Sequence, residues 1–84
     1  MFIHLGANVL VPIKDVITII DVKMKDSAES MVEFLNIADE EGFIVNIEEG
    51  ETKSYVVTSK HVYYSPISSL TLKKRSHYLQ SLQN

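Results

Sequence analysis

Residues 43–64, FIVNIEEGETKSYVVTSKHVYY, decide the fold. Phe43–Ile47 and Tyr55–Thr58 are runs of β-branched and aromatic residues, the composition that suits a pleated, half-buried surface. Between them Glu48-Glu49-Gly50-Glu51-Thr52 contains glycine, which predicts a hairpin-like connection. His61–Tyr64 reads as a further short strand, and Pro66, with no N–H to donate, ends it. Downstream, Ser68 or Ser69 can cap a helix running to about Gln80. Leu72, Arg75, Leu79 and Leu82 share one face of it, with Tyr78 beside them, while Lys73, Lys74 and His77 lie towards the other side.

Upstream of residue 43 the period changes. Ala28, Met31, Val32, Leu35 and Ala38 recur at helical spacing, with Asp26 and Glu29 placed as a capping box and Gly42 as the residue that closes the helix. Val16–Ile20 (VITII) is too short for a typical helix and reads as a buried central strand. Phe2–Leu5 and Val9–Ile13 flank a turn at Gly6-Ala7-Asn8, and Pro12 confines the second segment to an edge or a strand end. The order is β-β-β-α-β-β-β-α. Short connections make this an α+β fold with a small, mostly antiparallel sheet and two helices.

At 84 residues and 9.5 kDa the chain has room for one domain, residues 1–84. With no cysteine, disulfides and thiolate metal sites are excluded. No stretch approaches the roughly 20 apolar residues of a membrane span, and no basic-then-apolar signal opens the sequence. The expectation is a protein with no membrane partner. The formal net charge of −3 conceals a strong asymmetry. Residues 1–51 hold all 11 acids against Lys14, Lys23 and Lys25, a net −8, whereas residues 52–84 hold five basic residues and no acid, a net +5. Such a split points to an anionic ligand for the basic half or to head-to-tail association.

No motif nominates catalysis. There is no nucleophile elbow, dinucleotide fingerprint or phosphate loop, and His4, His61 and His77 lack metal-site spacing. No catalytic residue, metal, cofactor or small-molecule substrate is expected. Three other features carry charge or aromatic character. Asp39-Glu40-Glu41 crowd a helix C-terminus, where the dipole is already negative; either they are simply solvated or a cation from another chain meets them. Lys73-Lys74-Arg75 spread around the last helix, as a solvated face or as contacts to phosphate or a subunit, with the stem of Arg75 on the apolar side. Tyr63 and Tyr64 are adjacent on a strand and so point to opposite faces, one towards a core and one towards an interface.

Two stretches together resemble a known family. The first runs from Phe2-Ile3-His4-Leu5-Gly6 through Val9-Leu10-Val11 to Asp15-Val16-Ile17-Thr18-Ile19-Ile20. The second is Lys53-Ser54-Tyr55-Val56-Val57-Thr58 followed by Tyr63 to Arg75 (YYSPISSLTLKKR). They are similar to the RemB-like branch of the bacterial extracellular matrix regulator family. The resemblance implies a non-enzymatic cytoplasmic protein connected with the control of biofilm matrix genes. A sister branch binds DNA and assembles into rings through which it displays basic side chains. Its DNA-contacting arginines fall here at Asp15, Glu51 and Thr52, so those contacts do not carry over. Duplex DNA, if bound, would meet Lys53, Lys60, Lys73, Lys74 and Arg75. A homo-oligomer, such as a ring, would use Asp39, Glu40, Glu41, Tyr63 and Tyr64 at its subunit contacts. A self-assembling scaffold that binds no DNA is the alternative.

Overall fold

The computed structural model describes residues 1–47 and 50–82. Its strands are β1 (Phe2–Gly6), β2 (Val9–Pro12), β3 (Val16–Asp21), β4 (Ile44–Asn46), β5 (Ser54–Thr58) and β6 (Val62–Ser65), and its helices are α1 (Glu29–Glu40) and α2 (Ser69–Leu82). The α+β order and the mostly antiparallel pairing are as the sequence predicts. β1 and β2 form a hairpin of their own, and the other four strands make one sheet in the order β3-β5-β6-β4.

Alternation along the strands assigns each sheet face its own core. Val56 and Ile19 point to one face and join Ile3, Leu5, Val11, Ile13, Ile47 and Leu72, so the β1–β2 hairpin and α2 cover that side. Tyr55, Val57 and Val62 point to the other and join Leu35 and Ala38 of α1. The molecule is thus three layers: hairpin with α2, sheet, and α1.

Three sequence expectations are corrected. First, β4 and β5 do not form a hairpin. β5 pairs with β6 antiparallel, and β4 lies parallel to β6 on its far side. The tight turn is Thr58–His61, where the Thr58 hydroxyl accepts from His61 N–H at 2.9 Å and donates to its carbonyl at 2.8 Å. A threonine side chain closes the turn there in place of glycine. Of the predicted connection, Glu48 and Glu49 lie outside the described residues. Second, β3 is an edge strand and not a central one, since it pairs only with β5. β3 and β4 run in the same direction at opposite edges, and α1 is the crossover that parallel strands require. A register shift between Val16 and Thr18 leaves Ile17 67% exposed. Third, Asp26 does not cap α1. Ala28 occupies the N-cap with no side-chain bond. The preceding 3-10 turn Val22–Met24, started by Asp21 accepting from Lys23 N–H, and the Ser27 hydroxyl bond to Met24 carbonyl take up the chain as far as Ser27.

Helix ends otherwise follow the residue chemistry. Gly42 has φ +76°, and the bonds from Phe43 N–H to Ala38 carbonyl and from Gly42 N–H to Asp39 carbonyl form a Schellman motif. Ser68 caps α2 by accepting from Thr71 N–H at 3.2 Å. α2 continues past Gln80 to Leu82, whose side chain, expected on the apolar face, is exposed.

Two small residues fasten the hairpin to the sheet. Fully buried Ser65 donates to Leu5 carbonyl at 2.6 Å and accepts from Ile67 N–H at 3.1 Å, while fully buried Ser54 donates to Ile67 carbonyl at 2.8 Å. Gly6, at φ +120°, passes so close to Pro66 that a Cβ would lie 2.9 Å from its ring carbons. Gly6→Ala is expected to cost about 2 kcal/mol through strain and overpacking. Ser65→Ala is expected to cost about 1–3 kcal/mol by leaving buried backbone groups unpaired. Urea unfolding of the two variants checks both, through a lowered midpoint at unchanged slope.

Candidate functional site

The fold turns the charge split along the sequence into a split across the sheet. The α1 segment, residues 26–42, carries Asp26, Glu29, Glu33, Asp39, Glu40 and Glu41 and no basic residue. The opposite layer, built from residues 1–15 and 66–82, carries Lys14, Lys73, Lys74 and Arg75 against a single acid, Asp15. All of these side chains stand on exposed positions except that of the half-buried Asp15.

The expected DNA-contacting residues do not form one patch. Lys53 and Lys60 bracket β5 at its two ends, about 20 Å apart at the rise of an extended strand. Lys73 and Lys74 face away from the core on α2. Arg75 turns to the side of that helix that meets β1, where its guanidinium Nη1 donates to His4 carbonyl at 3.3 Å. Glu51 is exposed near the Lys53 end, and the Asp15 backbone carbonyl accepts from Ser59 N–H at 3.1 Å, which places that residue near the Lys60 end. Both ends of β5 therefore combine a lysine with a nearby acid.

The expected interface residues are divided as well. Asp39, Glu40 and Glu41 are exposed at the end of α1. Tyr64 belongs to the same face, packing beside Tyr55 with ring centroids 4.8 Å apart. Tyr63 points through the sheet to the hairpin side, where it packs on the other core, and its ring meets His61 edge-on at 5.8 Å. The alternation predicted for this pair holds. Neither ring is fully buried: both are half-buried, because each sheet face has its own core to fill.

Two features escape sequence reasoning. Ile17, Phe34, Ile37 and Phe43, all 41–67% exposed, line an apolar groove of about 420 Å³ with Lys60 and His61 at its rim. Its signal is the register shift that ejects Ile17, which has no sequence signature. On the other layer, Phe2, His4, Arg75 and Tyr78 surround a cleft between β1 and α2. Its two sides lie some 70 residues apart in the chain. The histidines are dispersed, and among the described residues no group of three His, Asp or Glu is placed to hold a metal ion. Among the same residues no helix is long and apolar enough to cross a membrane.

Residues 2–75 match the RemA-like family, described as extracellular matrix regulatory protein A-like. The chain is also 40% identical over 79 residues to extracellular matrix regulatory protein B of Bacillus subtilis (strain 168), which covers 94% of each sequence.

Burial raises the hydroxyl pKa of Tyr55, with Asp26 adding to it, and burial with the neighbouring Tyr55 and Asp39 raises that of Tyr64. The unfolded chain therefore ionises first. The stabilisation from these two neutral phenols is complete below pH about 10 and is lost as pH rises through their folded values. A thermal unfolding series from neutral to strongly alkaline pH should show a fall that Tyr55→Phe/Tyr64→Phe flattens. An unchanged alkaline slope in the double variant would contradict this assignment.

Proposed function

Because the chain belongs to the RemA-like family, we propose that it is a non-enzymatic regulator of extracellular matrix production that works as a homo-oligomer. The observation that carries this reading is the placement of acids and bases on opposite faces of one sheet. Two layer spacings of about 10 Å separate the charges, more than the Debye length of about 8 Å at physiological salt. The two layers therefore do not neutralise each other within a subunit, and each is free to meet the opposite layer of another copy. Contact of unlike faces is heterologous, and it closes into a ring where the rotation allows.

The apolar groove on the α1 side supports the same reading. Asp39, Glu40 and Glu41 stand at its end of the helix, so burial of Phe34, Ile37 and Phe43 would accompany the charge contact. Lys73 and Lys74 on the outward side of α2 are the complementary cations. Membership of this family and the name of the B. subtilis relative support a role in matrix control; its exercise in the cytoplasm on biofilm matrix genes is part of the proposal.

Direct duplex binding is the second reading. It is favoured by the acid-free helix that holds Lys73, Lys74 and Arg75, whose weak phosphate contacts an oligomer would multiply. Scaffold action without DNA leaves those lysines to the subunit seam alone. No binding of labelled duplex by the assembled protein at about 50 mM salt would remove DNA as a ligand.

Assembly is tested by a charge exchange. Glu40→Lys/Glu41→Lys and Lys73→Glu/Lys74→Glu should each lower the mass seen by size-exclusion chromatography with light scattering at low salt. An equimolar mixture should restore it, since each variant supplies the face the other lacks. A wild-type monomer at every salt and concentration, or a mixture that stays dissociated, would overturn the proposed seam.

A further inference from the structure

We infer that the cleft between β1 and α2 binds a nucleoside phosphate, with Arg75 on the phosphate and the rings of Phe2 and Tyr78 against the base. The cleft holds about 290 Å³ and is lined by Phe2, Ile3, His4, Arg75, Tyr78 and Leu79. This is the lower end of small-molecule sites and matches one nucleotide.

Each wall supplies a different part of the recognition. Ile3 is 1% exposed and Leu79 half-buried, so the floor is apolar and belongs to the core. Phe2 and Tyr78, 59% and 63% exposed, are two aromatic rings left in water that line the same cleft as Arg75. A flat ring stacked on such faces gains contact area whichever base it carries. Arg75 is exposed and turned towards β1. Its bond to His4 carbonyl fixes the guanidinium across the cleft and leaves the rest of its five donors for an anion, in the planar fork that suits phosphate. His4 is held in turn, its Nε2 donating to Ala7 carbonyl at 2.7 Å, which leaves Nδ1 as the ring's remaining polar atom.

Among the described residues Arg75 makes no hydrogen bond to a carboxylate, and the carboxylates of α1 lie beyond the sheet; Asp15, in the turn after β2 that packs against α2, is an acid of this layer. An apolar ligand would leave the guanidinium donors unused, and an aliphatic carboxylate would leave both rings bare. A base joined to a phosphate uses both. The unit can come as a free mononucleotide or as the unpaired end of a strand. Neither assembly nor duplex binding is required for it.

Isothermal titration calorimetry of the full chain with AMP, adenosine, inorganic phosphate and a 5′-phosphorylated oligodeoxyadenylate tests the inference. AMP is expected to saturate, with adenosine and phosphate each at least about tenfold weaker. Arg75→Gln should weaken AMP about tenfold and leave adenosine unchanged, whereas Tyr78→Leu should weaken both and leave phosphate unchanged. Both side chains are exposed, and circular dichroism verifies that the fold is kept. Lys73→Gln/Lys74→Gln should leave AMP affinity within about twofold, since neither lysine lines the cleft. An oligonucleotide bound about tenfold tighter than AMP assigns the site to strand ends, and equal affinity assigns it to free nucleotide. Absence of saturable AMP binding at about 1 mM, phosphate binding as tightly as AMP, or an Arg75→Gln variant that binds AMP normally would each overturn it.

Discussion

The hydroxyl of Ser65 is the point on which the layers are hung. It joins a carbonyl of β1, 60 positions earlier, to the backbone N–H of Ile67 two positions later, inside a site with no access to water. Ser54, paired with it across the β5–β6 ladder, holds the other polar group of Ile67. Neither bond is worth much net in isolation, but leaving any of these buried groups unpaired is costly, so the three segments keep one relative position. The segment after Pro66 must then turn within a few residues, which is where Ser68 starts α2. Leu72 follows into the core and Arg75 arrives over His4. The cleft geometry descends from two serines that touch no ligand.

The sheet does for charge what it does for apolar side chains. Strand alternation sends Tyr55 and Val57 one way and Val56 the other, and each face collects its own helix. Six of the eleven acids lie in the α1 segment between β3 and β4, and Lys73, Lys74 and Arg75 lie on the helix after β6. A chain whose formal charge is only −3 thereby presents two faces of opposite sign. The crowding of Asp39, Glu40 and Glu41 at a helix C-terminus is locally unfavourable, which is the kind of cost that is relieved only when something positive arrives from outside.

Local chemistry made most elements legible. Helical spacing located both helices, Gly42 and Ser68 acted as their chemistry predicts, and strand alternation separated Tyr63 from Tyr64. Strand order was not legible, because alternation reports which face a residue takes and nothing about its neighbour. Gly50 drew the hairpin to the wrong loop, while Thr58 made the real turn with a side-chain bond that ordinary turn statistics hardly mark. Val16–Ile20 read as central because it is apolar throughout, yet it lies at an edge where Ile17 faces outward. For the site, charge and its split were visible from residue counts. The pairing of Arg75 with His4 depends on tertiary closure, and no local pattern encodes it.

The strand order also governs what a ribosome releases. Val16–Asp21 leaves the exit tunnel long before its sole partner, Ser54–Thr58, has been made, and the β5–β6 hairpin that separates the two edges is translated after both. At synthesis rates of about 5–20 residues per second, VITIID stays unpaired for a few seconds. It has no lysine or proline to discourage contact with other nascent strands. Neighbouring chains on one messenger are therefore a hazard built into the topology, and a protein that folds quickly once residue 65 emerges has the greater protection from it.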